Sequence, residues 1–269
     1  MRWSSIGFAA VVASGLAFFV PVGAPAQDSQ AEIRAVIRDY LASNPEEVQR
    51  IVRDYIRNNP ELLVATLNEL MKQRQAAAAK TAAATSAQKS AIIKTNETAL
   101  LRSPHHAVLG NPEGDVTLVE FFDYNCGYCK RALSDKLALL QKHPNLRIVL
   151  KEFPILGAGS LEAARASIAA RMQSPAAATY LEFHKRMLES RGPVDRARAF
   201  DVAREVGLDL QRLEQDMNAD EVRASLDESM KLAQALGFRG TPSYVVGDNV
   251  VVGAVGVVAL TNSINAARK

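Results

Sequence analysis

The sequence predicts an α/β protein with a short all-helical region in front of it. Three observations carry this. Two apolar runs, Val116 to Phe122 and Arg147 to Phe153, flank a helical pattern that begins at Cys126. Several helical stretches follow over about residues 160–236. A hairpin signal then leads into a last helix.

Arg2 and the uncharged run Ile6 to Val20, followed by Ala24-Pro25-Ala26, read as an export signal over residues 1–26. The run is shorter than the roughly 20 residues a spanning helix needs. Cleavage leaves a protein expected in the periplasm of a Gram-negative cell.

Residues 27–75 form the helical region. It holds a repeat of period 15: Arg38-Asp39-Tyr40-Leu41 before Asn44-Pro45-Glu46, then Arg53-Asp54-Tyr55-Ile56 before Asn59-Pro60-Glu61. The residue before proline avoids the helical region, and proline suits the first turn of the next helix. Apolar residues recur every three to four positions: Ile33, Val36, Ile37, Tyr40, Leu41; then Val48, Ile51, Val52, Tyr55, Ile56; then Leu62, Leu63, Leu67, Leu70, Met71. So short a segment cannot bury this surface alone. It is expected to dock on the main domain or to pair with copies of itself, which makes residues 31–75 a candidate homo-oligomer interface.

Residues 76–103 read as a linker. Ala, Lys and Gln favour helix, but residues 76–91 carry no apolar stripe. The main domain then runs over 104–269. The strand at 116–122, the helix from Cys126 to about Gln141 and the strand at 147–153 make a right-handed βαβ unit. The helical stretches are punctuated at Ser174-Pro175, Gly192-Pro193 and Gly207. Ser243 to Val246, a Gly247-Asp248-Asn249 turn and Val250 to Val252 make the hairpin. A helix over about Val257 to Ala267 closes the chain. That order is a thioredoxin-like fold with an inserted helical cap.

A net charge of +3 over 269 residues gives no electrostatic reason to bind nucleic acid. The two cysteines, Cys126 and Cys129, are the only ones. Bridging them closes a very small ring that restrains little of the unfolded chain. A zinc site would need two more ligands, and the four His residues are scattered. A redox pair fits better. Thiol–disulfide exchange needs a first cysteine that ionises easily and a second within reach to resolve the mixed disulfide. At a helix N-terminus the free N–H groups favour a negative Cys126 sulfur. Cys129 lies one turn on. A copper(I) site on the same thiolates is the alternative of another class.

Glu120 shares a strand face with Leu118 and Phe122. A carboxylate there is costly to bury, and it is placed to relay protons to or from Cys129. Lys151 on the neighbouring strand is its candidate partner. Thr241-Pro242 precedes the hairpin, where proline is tolerated.

Gly110-Asn111-Pro112, Val119 to Tyr124, Cys126-Gly127-Tyr128-Cys129-Lys130, Lys151-Glu152-Phe153-Pro154-Ile155 and Gly240-Thr241-Pro242 resemble the DsbA family of bacterial oxidoreductases, in its order. The resemblance implies that Cys126 is the nucleophile, Cys129 the resolving cysteine and Glu120 the buried acid. It implies a cis-proline at Pro242, with Thr241, Pro242, Gly127 and Tyr128 facing substrate. No cofactor beyond the Cys126–Cys129 disulfide and no metal is implied. Gly127-Tyr128 is similar to the dipeptide of the dimeric bacterial disulfide isomerase, and it lacks the imidazole of the strong oxidase, so a less oxidising couple is expected. The N-terminal helices resemble those of suppressor-of-copper-sensitivity C-type proteins, which trimerise. The resemblance thus implies an oligomeric periplasmic isomerase or reductase, with exported cysteine-containing proteins as substrates and a membrane redox partner. A dithiol oxidase is the alternative within the enzyme class.

Overall fold

The computed structural model describes residues 26–173 and 177–268. The expected export signal lies outside the described residues but for Ala26, and so does the Ser174-Pro175 break. The chain divides into two units, the first ending at Gln75 and the second starting at Ala76.

The first unit contains α1 (Ala26–Ser43), α2 (Pro45–Asn58) and the start of α3 (Pro60–Thr95). The repeat explains the breaks. Proline lacks an N–H and pushes the residue before it out of the helical region. Asn44 and Asn59 accordingly stand at φ −125° and −133°. Each asparagine then caps the helix it ends. Nδ2 of Asn44 donates to the Tyr40 carbonyl, and Nδ2 of Asn59 to the Tyr55 carbonyl, both at 2.8 Å. The apolar stripes stay open: Ile37, Tyr40, Ile51, Tyr55 and Leu67 are exposed, and α2 has no buried residue.

In the second unit, α3 stays helical through the Ala-rich stretch to Thr95, and a π-helical turn follows at Thr98–Arg102. Ile93 and Leu100, at the end of the segment read as a linker, are buried. The five strands are β1 (Ala107–Gly110), β2 (Val116–Phe122), β3 (Leu146–Glu152), β4 (Ser243–Val246) and β5 (Asn249–Val252), in the spatial order β1-β3-β2-β4-β5. β2 and β3 are parallel, joined by α4 (Gly127–Lys142); the other pairs are antiparallel. Gly247 turns the β4–β5 hairpin at φ +53°, a conformation that favours glycine. β1 is an addition to the expected set. Four residues ending in glycine are too few for an alternation to be read.

The cap comprises α5 (Ala158–Gln173), α6 (Ala177–Glu189), α7 (Arg196–Glu205), α8 (Leu210–Asp216) and α9 (Asp220–Ala235); α10 (Gly256–Ala267) ends the chain. Asp195 and Asp209 cap α7 and α8, accepting from the N–H groups of Arg198 and Arg212. The period-two pattern of the central strands makes two cores. Leu118, Phe122, Ile148 and Leu150 pack with residues of α4, the cap and α10. Val119, Phe121, Val149 and Phe153 pack on the other face with Ile93, Leu100, Leu232 and Phe238. The fold is thus the expected α/β thioredoxin-like one with a helical insertion and helices in front. Among the described residues no helix is long and apolar enough to cross a membrane.

Candidate active site

The end of β2 and the start of α4 build the site. After Phe122 the chain turns over three residues, each held by a specific bond. Asp123 is buried and accepts three main-chain donors: Asn125 N at 2.8 Å, Ile155 N at 2.9 Å and Leu156 N at 3.1 Å. Its carbonyl accepts the Cys126 N–H at 3.0 Å. The Asn125 side chain donates to Ser160 Oγ and the Val194 carbonyl and accepts the Val194 N–H. This loop therefore fixes where α4 begins.

Cys126 is the residue just before α4, with extended backbone at φ −78° and ψ 115°. Its sulfur lies 3.1 Å from the carbonyl oxygen of Thr241, and the Thr241–Pro242 peptide bond is cis. Both thiols are free. Cys126 is pulled down to about 5, first by the hydrogen bond from the Cys129 thiol, then by Thr241 and by the N–H groups of Cys129 and Tyr128 at the helix start, against the cost of burial. Cys129, 1% exposed, is pushed far above the ordinary thiol range. Its hydrogen bond to Cys126 is the largest cause, followed by burial and the negative charge of Glu120. The two sulfurs are thus strongly unequal: one ionised at neutral pH, one holding its proton.

Glu120 is buried beneath the pair on the Leu118–Phe122 face. Lys136 Nζ stands 2.9 Å from its Oε2 as an ion pair, and neither carboxylate oxygen accepts a hydrogen bond of normal geometry. The expected partnership with Lys151 is not formed. β2 and β3 pair in parallel with Glu120 opposite Leu150 and Phe121 opposite Lys151, so Lys151 points to the other face. There it bonds Glu228 Oε1 at 3.0 Å and the Ala99 carbonyl at 2.8 Å. Tyr244, opposite Glu120 on β4, is pushed up by burial and then by the charge of Glu120.

Gly127 has open space around it, and Tyr128 is 59% exposed with the Arg131 guanidinium 4.2 Å from its ring centre. The Lys130 ammonium reaches away from the sulfurs and donates to the carbonyls of Ser190 and Gly192. The structure therefore gathers Cys126, Cys129, Glu120, Thr241 and Pro242 at one end of β2, and Gly127 and Tyr128 sit at its open rim.

Sequence reasoning missed Lys136 and His184. Lys136 Nζ lies 2.7 Å from His184 Nε2, and His184 Nδ1 lies 2.9 Å from Tyr124 Oη. The signal for Lys136 was present: it interrupts the apolar face of α4 three residues after Leu133, which is an unusual place for a lysine. Nothing local marks His184. Among the described residues no group of three or more His, Cys, Asp or Glu side chains could hold a metal ion.

Comparison with known proteins agrees with the fold. Residues 117–265 match the family model of the DSBA-like thioredoxin domain, and residues 47–77 match the Copper resistance protein ScsC N-terminal domain. A thioredoxin-like oxidoreductase from Silicibacter pomeroyi is 48% identical, with a TM-score of 0.61, covering 64% of this chain and 98% of that one. The thiol-disulfide exchange protein alpha-DsbA2 from Wolbachia pipientis is 26% identical at a TM-score of 0.63, covering 68% of this chain and 97% of its own. A linker-deleted mutant of Proteus mirabilis ScsC shares the fold at 23% identity and a TM-score of 0.62, covering 91% of this chain and 98% of that one. Curated relatives include a Na(+)/H(+) antiporter NhaA from Herminiimonas arsenicoxydans, 28% identical over 167 residues. That match covers 60% of this chain and 25% of the antiporter, so the chain spans about a quarter of the length of the curated relatives it matches. With the family model covering more than half of the residues, the chain belongs to the DSBA-like thioredoxin family.

Proposed function

We propose that this protein is an exported disulfide isomerase or reductase that works in the periplasm as a homo-oligomer. The observation that carries the reading is the open apolar surface of the N-terminal unit. Fifteen large apolar side chains between Ile33 and Met71 are exposed. A surface this large marks an interface, and burying each such side chain is worth about 1.5–3 kcal/mol. The match of residues 47–77 to the ScsC N-terminal domain supports the same reading. Several thiolates in one assembly can hold a misfolded chain while its bonds reshuffle.

The chemistry follows from the unequal sulfurs. The Cys126 thiolate attacks one sulfur of a wrong disulfide in an exported protein. A new S–S bond forms, and the displaced substrate sulfur leaves as a thiolate. In isomerisation a substrate thiolate then attacks the mixed disulfide and frees Cys126 again. In reduction Cys129 gives its proton to Glu120 and attacks the Cys126 sulfur. The substrate departs reduced, and Cys126–Cys129 is left as a disulfide, which a membrane redox partner would reduce. Thr241, Pro242, Gly127 and Tyr128 face the bound chain.

One observation favours a second reading. A Cys126 thiol held at about 5 stabilises the reduced pair and so makes the couple more oxidising. That suits a dithiol oxidase, against the weaker oxidant expected from Gly127-Tyr128. One experiment separates the readings: light scattering and refolding of a scrambled multi-disulfide protein, with the wild type and with an Ile51→Glu/Tyr55→Glu variant. The proposal expects an oligomer with isomerase activity, and a dissociated variant that still reduces disulfides but no longer isomerises. A monomeric wild type that oxidises dithiols and does not isomerise would establish the oxidase instead.

A further inference from the structure

One buried feature has no part in the exchange steps above. A chain of polar side chains runs from beneath the sulfurs into the cap. Lys136 Nζ meets His184 Nε2 at 2.7 Å, and His184 Nδ1 meets Tyr124 Oη at 2.9 Å. Tyr124 Oη meets Ser167 Oγ at 2.8 Å, and Ser167 Oγ donates to Glu152 Oε1 at 2.9 Å. Tyr180 Oη joins at Ser167, also at 2.8 Å. Every member is buried. Buried polar groups joined this way rigidify a core when all are satisfied.

Counting protons gives the chain a direction. The single Ser167 hydroxyl proton goes to Glu152, so Ser167 accepts from Tyr124. The single Tyr124 proton is thereby used, so Tyr124 accepts from His184 Nδ1–H. His184 is neutral, because burial and then the Lys136 charge hold it well below its ordinary range. Its Nε2 therefore presents a lone pair to the Lys136 ammonium. Lys136 thus has two partners, the ion-paired Glu120 on one side and the acceptor His184 on the other.

We propose that His184 is a positioning residue for the resolving step: it holds the Lys136 ammonium beside Glu120 while Glu120 takes the proton of Cys129. This rests on the reading of Glu120 as the proton acceptor. In that step the Cys129 S–H bond breaks and its proton passes to the Glu120 carboxylate. The Cys129 thiolate then forms the bond to Cys126, and the substrate sulfur leaves with the electron pair. At that moment Glu120 is neutral, and the ammonium loses its anion inside the core. An unpaired buried ammonium is costly. The lone pair of His184 persists through the step and keeps Lys136 in place for the return of the charge.

The titratable and charged groups around Glu120 are Cys129 and Lys136 on α4 and Tyr244 on β4, with Asp135 and Cys126 acting on Tyr244; β3 presents Leu150. His184 reaches Glu120 through Lys136 alone.

The test uses the full-length reduced protein and glutathione disulfide, followed by rapid mixing across pH. Attack by Cys126 and resolution by Cys129 are timed separately. His184→Phe keeps a ring against Phe122, Tyr124 and Tyr180, which surround His184. It is expected to slow resolution by about tenfold and to change its pH profile, while attack stays within about twofold; a general base itself contributes roughly 10²–10⁴. His184→Gln, which restores an acceptor for Lys136, is expected to recover most of the rate. Tyr124→Phe touches neither Lys136 nor Glu120 and is expected to slow resolution in the same direction; it decides the matter if His184→Phe does not fold. A folded His184→Phe or Tyr124→Phe protein with the wild-type resolution profile would overturn the proposal if Glu120→Gln alters that profile. If Glu120→Gln leaves the profile unchanged, the reading of Glu120 fails and His184 has no carboxylate to serve.

Discussion

The hydrogen bond between the two thiols is the most direct lever on the chemistry. Replacing Cys129 by Ala removes the largest cause of Cys126's acidity while leaving the helix N–H groups in place. In the wild type, Cys126 sits at about 5, against an ordinary value near 9. The sign follows from the lowered value. The stabilisation of the reduced folded form is fully present above pH 9, shrinks as the pH falls, and is gone below pH 5. At pH 7 two units of the shift are realised. At 1.36 kcal/mol per unit this is about 3 kcal/mol in favour of the reduced protein over the disulfide form, where no thiolate exists. For a two-electron couple that equals roughly 60 mV toward the oxidising side. The assay is ultraviolet absorbance of the thiolate against pH, with the reduction potential measured in parallel. A single ionisation near pH 5 is expected in the wild type, since Cys129 keeps its proton. In Cys129→Ala the midpoint should rise by at least about one unit. A wild-type midpoint at the ordinary thiol value would refute the argument, because it would mean that the donors around Cys126 do not act on its sulfur.

Two other perturbations test the frame of the site. Asp123→Ala leaves the N–H groups of Asn125, Ile155 and Leu156 without their acceptor. A loss of about 3 kcal/mol in denaturant unfolding is expected, with slower attack by Cys126 because α4 is no longer held at its start. Glu228, on the opposite face of the sheet, is held at about 2; burial opposes this, but its bonds to His106 and Lys151 prevail. Its contribution to stability is therefore present above its ordinary value and lost as the pH falls toward 2. Acid unfolding of Glu228→Gln, followed by circular dichroism, should lack about 2–3 kcal/mol of that pH-dependent loss.

The parts of the molecule legible in the sequence are those where local pattern and final position coincide. The run 116–122 reads as a buried strand because both its faces enter a core, and each face proves to have its own. The Asn-Pro pairs read as helix breaks because proline chemistry is local, and the asparagine caps repeat with them. Cys126 reads as the reactive thiol because its advantage comes mostly from the turn of helix that follows it. The partner of Glu120 was not legible. Choosing between Lys136 and Lys151 requires knowing that β2 and β3 pair in a register that puts Lys151 opposite Phe121. One residue of register moves a side chain to the opposite face, and no single strand's pattern states it. His184 was hidden for the same reason. It lies 48 residues from Lys136, and only the packing of the cap brings them together.

Those long-range bonds change how the cap should be understood. Three of its contacts end on the active-site loop and α4. Asn125, next to Cys126, is fixed by Ser160 and Val194. Lys130, in the first turn of α4, is fixed by the carbonyls of Ser190 and Gly192. Lys136, two turns further on, is fixed by His184. All three lie on one stretch from the active-site loop through α4, the segment whose N–H groups must point at a thiolate. Such groups stabilise charge in proportion to how little they must move to do so. A thioredoxin core alone could place the two cysteines, but it would leave one side of α4 facing solvent. The cap closes that side with bonds that end on α4 itself. The cap therefore holds in place the loop and helix start whose N–H groups act on Cys126, and loosening Ser190 or Val194 is expected to raise the thiolate midpoint, read by ultraviolet absorbance, before it lowers overall stability.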